Sequence, residues 1–377
     1  MRVVHLAKMT GVAGTENHLL ALLPQLAQSG LDVRLIVLCE PDKPMYTYAA
    51  QMSALGVPTE LVTISGDLDL RLIGQLAVRL RAVGADAVHT HLIHADWHGI
   101  PAAWRAGVRY IYTSGHNDDP FRHRLPIRLV QAYLWRRVTA GIAISEAVRR
   151  FMIAVEFAPP HKVHTVHYGI ALLPPDLTRR AAFRAELGIP LEAPVFGSVC
   201  RLVEQKGLTF ALRAFAQIAL RFPSAHYVII GDGPLRESLR AEAELLGIAS
   251  RVHLAGWRAE AAACMVAFDV FVMPSLWEGF GLVALEAMSA RLPIIASRVS
   301  ALPEIVVEGE TGFLCPPRDV ACLAERMAQL ISERALAERL GMNGVARLSA
   351  EFSLSKMVER TLDVYQKTNA LQKERTC

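Results

Sequence analysis

Long apolar runs are scarce in this chain. Hydrophobic residues occupy 52% of its 377 positions, and the mean hydropathy is +0.28. Yet no run reaches the ~18 residues that a spanning helix needs. The best candidate, 261–274, is too short and is broken by Asp269, which excludes a transmembrane helix. Closely spaced cysteine pairs are lacking too. Cys39, Cys200, Cys264, Cys315, Cys322 and Cys377 are scattered, with no C-x-x-C. Met1-Arg2-Val3-Val4-His5-Leu6, followed by Lys8 and a glycine turn, does not read as a signal peptide. The expectation is a cytoplasmic chain with reduced thiols, most of them small core side chains. Glycine (25) and proline (20) are at ordinary usage, which excludes collagen-like or low-complexity material.

Charge is modest and uneven. Lys and Arg number 40 against 36 Asp and Glu. The excess concentrates in 105–150, where nine arginines face Asp118, Asp119 and Glu146. Within it, 122–137 is basic and aromatic, with Leu129, Ala132, Tyr133 and Arg136 at helical spacing. Such a stretch suits an anionic membrane surface; it equally suits an ordinary surface helix with one core face. No basic stripe runs along the chain and no nucleic-acid module is recognisable, so nucleic acid is not an expected partner.

Short β-branched runs alternate with helical patterns throughout. Strands are expected at 3–6, 33–38, 87–90, 110–113, 141–144, 162–166, 195–200, 227–230, 252–254, 270–273 and 294–296. Between them, Leu208, Ala211, Leu212, Phe215, Ile218 and Ala219 share one helical stripe. Unbroken apolar strands suit parallel sheets covered on both faces. The alternation predicts an α/β fold of two Rossmann-like domains facing across a cleft. The proline-rich 173–193 reads as the linker. It separates an N-terminal domain, 1–172, from a C-terminal domain, 194–352. The helical tail at about 353–377 is expected to pack on either half.

Ligands of open α/β sheets bind beyond the carboxyl ends of the strands, and four motifs lie there. Gly11-Val12-Ala13-Gly14-Thr15-Glu16 follows the first strand; it is either a tight turn or an anion-binding loop and is not G-x-G-x-x-G. Arg201 to Gly207 puts Arg201 and Lys206 on one loop, a pair suited to a diphosphate whose charge grows on bond breaking. Glu278-Gly279-Phe280-Gly281-Leu282, continuing to Glu286, follows a buried strand. Its glycine turn and helix start favour an anion, while two carboxylates beside a phosphate should meet hydroxyls. His116 follows the strand at 110–113 and can donate a hydrogen bond or shuttle a proton. His89, His91, His94, Asp96 and His98 crowd ten residues, but their strand-to-helix placement does not suit one tetrahedral metal site. Asp67-Leu68-Asp69 reads as a helix cap.

These motifs resemble the retaining glycosyltransferases of family 4, the group 1 glycosyltransferases of GT-B fold. The most specific part is Glu278 to Glu286, similar to the family's Glu-x7-Glu signature; 293–297, 303–306, 309–314 and 231–235 follow its landmarks. Ala13-Gly14 stands for the usual Gly-Gly, and His167-Tyr168-Gly169-Ile170 departs from the usual Asn-Gly-Val/Ile-Asp. The resemblance implies a nucleoside-diphosphate sugar, such as a UDP-, GDP- or ADP-sugar, bound as substrate with no metal and no cofactor. Arg201 and Lys206 then bind the diphosphate and stabilise the leaving nucleotide. Glu286 binds ribose hydroxyls, and Glu278 contacts the donor sugar. Gly279, Phe280, Gly281 and Leu282 line the donor site with backbone N–H groups. Gly14 approaches the donor phosphates and His116 meets the transferring sugar.

The acceptor is expected on the N-terminal half. A glycan or a lipid-linked acceptor fits the Arg122–Arg137 stretch, with peripheral placement at the inner face of a membrane and a role in envelope or exported polysaccharide. Two rival classes are a nucleotide-sugar 2-epimerase of the same architecture and a catalytically silent nucleotide-sugar-binding partner.

Overall fold

The computed structural model describes every residue except 13, 65, 67, 68, 173–175 and 377, together with all side chains but those of Leu177 and 369–376. The chain divides into two units, 1–169 with 354–377 and 170–353. In the first, β1 (Arg2–Lys8), α1 (Gly14–Gln28), β2 (Asp32–Cys39), α2 (Tyr46–Ala54), β3 (Thr59–Thr63), α3 (Leu70–Ala82) and β4 (Ala87–His91) are followed by α4 (Ile93–Ala106), β5 (Tyr110–Gly115), α5 (Leu125–Trp135), β6 (Ala140–Ala143), α6 (Glu146–Val155) and β7 (Val163–Thr165). The second unit runs α7 (Leu177–Glu186), β8 (Val195–Val199), α8 (Leu208–Ala219), β9 (His226–Ile230), α9 (Arg236–Leu245), β10 (Val252–Gly256), α10 (Ala261–Cys264), β11 (Val270–Met273), α11 (Leu282–Ser289), β12 (Ile294–Ser297), α12 (Leu302–Ile305), β13 (Gly312–Cys315), α13 (Val320–Ser332) and α14 (Arg334–Glu351). The last helix, α15 (Leu354–Thr376), belongs to the first unit, where it packs on α1.

Both sheets are parallel, in the orders β3-β2-β1-β4-β5-β6-β7 and β10-β9-β8-β11-β12-β13. Each starts at its centre, grows to one side and then crosses to the other. The reversal falls between β1 and β4 and between β8 and β11. Chains leaving adjacent strands at such a point diverge and open a crevice, the ligand position of doubly wound sheets.

Burial follows the sequence pattern. The stripe of α8 is fully buried, and Phe215 joins Phe196 and Tyr227 in the core of the second unit. Caps also form where their residue types predict. Asp69 accepts from the backbone N–H of Arg71 and Ser145 from that of Val148; Asp67 and Leu68 lie outside the described residues. Two strands were absent from the sequence reading, β3 and β13. Both are sheet edges: β3 buries only Val62 of its five residues, and β13 is four residues long.

The 173–193 segment, read as the linker, is not bare chain. It contains α7, which the buried Arg184 ties to the second unit. That guanidinium donates to the carbonyls of Ala267 at 2.9 Å and Ala193 at 2.8 Å, and pairs with Asp269 at 2.9 Å. The uniform expectation of reduced thiols is also corrected, because Cys315 at the end of β13 and Cys322 on α13 form a disulfide. The strand end and the helix start bring their Cα atoms to 5.8 Å. Cys377 lies outside the described residues.

Candidate active site

In the second unit, the loops leaving β8 and β11 are bound to each other. The Leu276 N–H donates to the Gln205 carbonyl at 2.7 Å, and Gln205 Nε2 donates to the Trp277 carbonyl at 3.0 Å. Gly207 makes this approach feasible: its φ is +60°, and a Cβ there would sit 2.1 Å from the Pro274 carbonyl oxygen. The result sets Lys206 Nζ 2.5 Å from Glu278 Oε2, with both side chains mostly buried. The Ser275 hydroxyl donates to the same carboxylate oxygen at 3.4 Å, and the Glu278 N–H donates to Ser300 Oγ at 3.2 Å. Ser300 itself has φ +46°, a left-handed conformation. Arg201 is exposed on the same loop and forms no ion pair with a described residue. Burial pushes the Cys200 thiol up to about 12, so it is inert beside this pair.

Gly281, at φ +103°, caps α11. The first turn of a helix has N–H groups without intrahelical acceptors. Leu282 opens that turn, and Glu286 follows about one turn later. Burial raises the Glu286 carboxyl above its ordinary range, and it bonds to no described residue. Phe280 turns its ring inward onto Phe352, so only its backbone faces the loop.

In the first unit Gly14 opens α1 beside the exposed Gly11 and Val12, with residue 13 outside the described set. His116 follows β5 and is buried. Both of its ring nitrogens have partners: Nε2 meets His91 Nδ1 at 3.0 Å, and Nδ1 meets the Tyr168 hydroxyl. His116 therefore presents no unpartnered nitrogen at this edge. His91 Nε2 in turn meets His5 Nδ1 at 2.9 Å. His89 bridges Tyr365 of α15 at 2.6 Å and Ser114 at 2.7 Å. His18 stacks on Tyr168 with ring centroids 4.1 Å apart.

Sequence reading missed His5, His18, Tyr168 and Tyr365 as members of this array. A signal existed for His5. In the doubly wound order β1 lies beside β4, so a histidine on the first strand registers with those on the fourth, and His5 does pair with His89. Nitrogens of His5, His89 and His91 lie within 4.8 Å of one another, a spacing open to a metal ion. Every one of these nitrogens except His5 Nε2 is already hydrogen-bonded. Asp96 is not part of the array; it accepts from Thr90 at 2.5 Å and Thr113 at 2.7 Å. His98 bonds to the His94 carbonyl at 2.9 Å.

The basic stretch is divided by the fold. Arg122 points inward to a buried ion pair with Glu156. On α5, Gln131, Leu134 and Trp135 form the buried face, whereas Leu129 and Tyr133 are exposed. Of the two faces the stripe could take, Leu129, Tyr133 and Arg136 lie outward, while Gln131, Leu134 and Trp135 take the inner side. Leu125 and Val130 join the stripe outside, next to the exposed Arg124, Arg136 and Arg137.

Comparison with known proteins accords with this layout. The sequence profile of the Glycosyl transferases group 1 matches residues 179–347, and that of Glycosyltransferase Family 4 matches 12–172. A 30% identity to the alpha-maltose-1-phosphate synthase of Mycobacterium tuberculosis extends over 79% of this chain and 83% of that one. The chain belongs to the group 1 glycosyltransferases. This glycosyltransferase is also 27% identical to the Escherichia coli UDP-Gal:alpha-D-GlcNAc-diphosphoundecaprenol alpha-1,3-galactosyltransferase, over 97% of this chain and 96% of that one. Its fold matches that of Anabaena HepE solved in complex with UDP, with a TM-score of 0.86 at 21% identity, covering 97% of this chain and all of that one. The glycosyltransferase thus has the GT-B architecture of two Rossmann-like domains and is an enzyme of the hexosyltransferase type acting on sugar nucleotides. Among the described residues, no helix is long and apolar enough to cross a membrane.

Proposed function

We propose that this glycosyltransferase moves a sugar, with retention of anomeric configuration, from a nucleoside-diphosphate sugar to a hydroxyl of a glycan or lipid-linked acceptor, in envelope or exported polysaccharide assembly. The observation that carries this reading is the contact of Lys206 with Glu278 at the β8–β11 crevice. A cation and a carboxylate held together there match a ligand that is anionic at one end and hydroxylated at the other. Lys206 and Arg201 grip the diphosphate and offset the charge that grows on it as the glycosidic bond breaks. Such preorganised charges act chiefly on the transition state. Glu278 contacts a donor-sugar hydroxyl and steadies the positive charge developing on the sugar. Glu286 receives the ribose hydroxyls. The backbone N–H groups of Gly279 to Leu282 and the loop at Gly14 approach the phosphates. His116 meets the transferring sugar after exchanging its Tyr168 bond for a sugar hydroxyl.

The named relative that uses a diphosphoundecaprenol-linked acceptor supports the lipid-linked class. The apolar, arginine-flanked outer face of α5 supports peripheral attachment to an anionic membrane surface at its cytoplasmic side. Incubation with UDP-, GDP- and ADP-sugars, with free nucleotide and product anomer followed by NMR, tests the reaction. Slow nucleotide release with an unchanged anomeric configuration is expected. Interconversion of the sugar nucleotide, or binding without release, would favour the epimerase or the silent partner instead.

A further inference from the structure

Tyr168, His116, His91 and His5 form one unbranched hydrogen-bonded chain through the first unit. The chain ends inside the protein, because His5 Nε2 is buried and has no partner. At its other end the Tyr168 hydroxyl also bonds to Thr15, half-exposed in the first turn of α1. The rings are held tightly: His5 stacks on His91 at 17° with centroids 5.2 Å apart, and His18 packs against Tyr168.

All four groups are neutral near pH 7. Burial lowers His5 and His116 to about 3, lowers His91 well below its ordinary value and raises Tyr168. A neutral imidazole has one donor nitrogen and one acceptor nitrogen. The chain therefore has two self-consistent polarities. In one, all three imidazoles carry hydrogen on Nδ1. His5 donates to His91, His91 to His116, His116 to Tyr168 and Tyr168 to Thr15, leaving His5 Nε2 as a bare lone pair. In the other, every hydrogen sits on Nε2 and His5 is left with an N–H that meets nothing. Either end state leaves one group of His5 unmade, and by analogy with backbone groups, among which a buried N–H without an acceptor is the rarer defect, the first polarity is favoured.

We infer that His5, His91 and Tyr168 are positioning residues, a directed relay that holds His116 as its Nδ1–H tautomer, so that His116 meets a sugar hydroxyl as hydrogen-bond donor and not as base. This rests on the proposed placement of His116 at the transferring sugar. The nitrogen that Tyr168 now occupies is the one a sugar hydroxyl takes, since both partners are O–H groups of equal capacity. The deep end of the relay, far from any ligand, thus decides what the ligand meets.

Long-range proton–nitrogen NMR spectra of the histidine-labelled full chain at pH 7 read the tautomers directly. His5, His91 and His116 are each expected as Nδ1–H. An Nε2–H or doubly protonated His116 would overturn the relay. Tyr168→Phe keeps the ring and removes only the hydroxyl. It should mix the His116 tautomers and lower kcat about fivefold to tenfold, the value of one neutral hydrogen bond; unchanged tautomers and unchanged kcat would refute it. His116→Gln, which still offers an N–H, should retain about fivefold to tenfold more activity than His116→Leu, and equal losses would refute the donor role. If the parent enzyme turned over no nucleotide sugar, the proposed reaction would fail while the spectra still decided the relay.

Discussion

Lys206 Nζ lies 2.5 Å from Glu278 Oε2, although 72 residues separate them in the chain. The pair exists because β8 and β11 are neighbours across the point where the sheet reverses direction, so the loops that leave them meet. Gly207 lets the backbones close without a side chain between them. On the proposed reading, an ammonium held this way in advance needs little reorganisation when a diphosphate binds beside it.

Lys206→Ala is expected to lower kcat by about 10²–10³, the range for one preorganised charge stabiliser. Steady-state kinetics on the preferred nucleotide sugar would check it. Activity near that of the parent would remove Lys206 from the diphosphate site.

Glu286→Ala should act on donor binding. A hydrogen bond to a charged group contributes roughly 1.5–3 kcal/mol, which corresponds to about a tenfold to hundredfold rise in the donor KM. Calorimetric titration with the free nucleoside diphosphate should show the same loss. If nucleoside diphosphate binds the variant as tightly as the parent, the ribose role is wrong.

Acid should destabilise the first unit. Above pH ~6.5 its buried imidazoles are neutral in both the folded and unfolded chain, so stability does not depend on them. As pH falls below that, the unfolded chain takes up protons that the folded one refuses, down to about 3 for His5 and His116. Stability falls over this window by about 1.4 kcal/mol per pH unit for each such imidazole. Urea unfolding midpoints at pH 7, 6 and 5 should decline in step, with a shallower decline in His5→Leu. A flat profile would contradict the neutral array.

Arg184→Met should loosen α7 from the second unit. The side chain is 2% exposed and its partner Asp269 35% exposed. The loss should be roughly 2–3 kcal/mol, somewhat below the value for a fully buried pair. Faster proteolysis near 177–193 and a lower Tm would be the signs; an unaltered Tm would show that α7 is held by its apolar contacts alone.

Flotation with anionic liposomes tests the α5 face. The parent should float, and Arg136→Glu with Arg137→Glu should stay behind, more so at low salt than at high. Failure of the parent to bind would end the membrane proposal.

Much of this was readable in the residues. Strand-helix alternation, the stripe of α8 and the glycine turns after β8 and β11 are local patterns, set by backbone propensity and by which side chains avoid water. They sufficed for two doubly wound sheets and for Arg201, Lys206, Glu278 and Glu286 at one sheet's ligand edge. Edge strands such as β3 escaped because one buried face leaves little apolar signal. The direction in which Leu129 and Tyr133 turn stayed open in the sequence because helical spacing identifies a face and not its direction.

By itself, the sequence determined the fold class, through short-range order and strand count, and the family, through the resemblance of its motifs from Glu278 to Glu286; it also put the loops of Arg201, Lys206 and Glu278 at one sheet's ligand edge. Only tertiary structure decided that Lys206 touches Glu278, that Arg184 joins α7 to the second unit, and that His91 and Tyr168 take the two ring nitrogens of His116. Those relations arise where strands distant in the chain come to lie side by side. Burial there removes water as the competing partner and forces each polar group onto whichever neighbour the sheet order supplies.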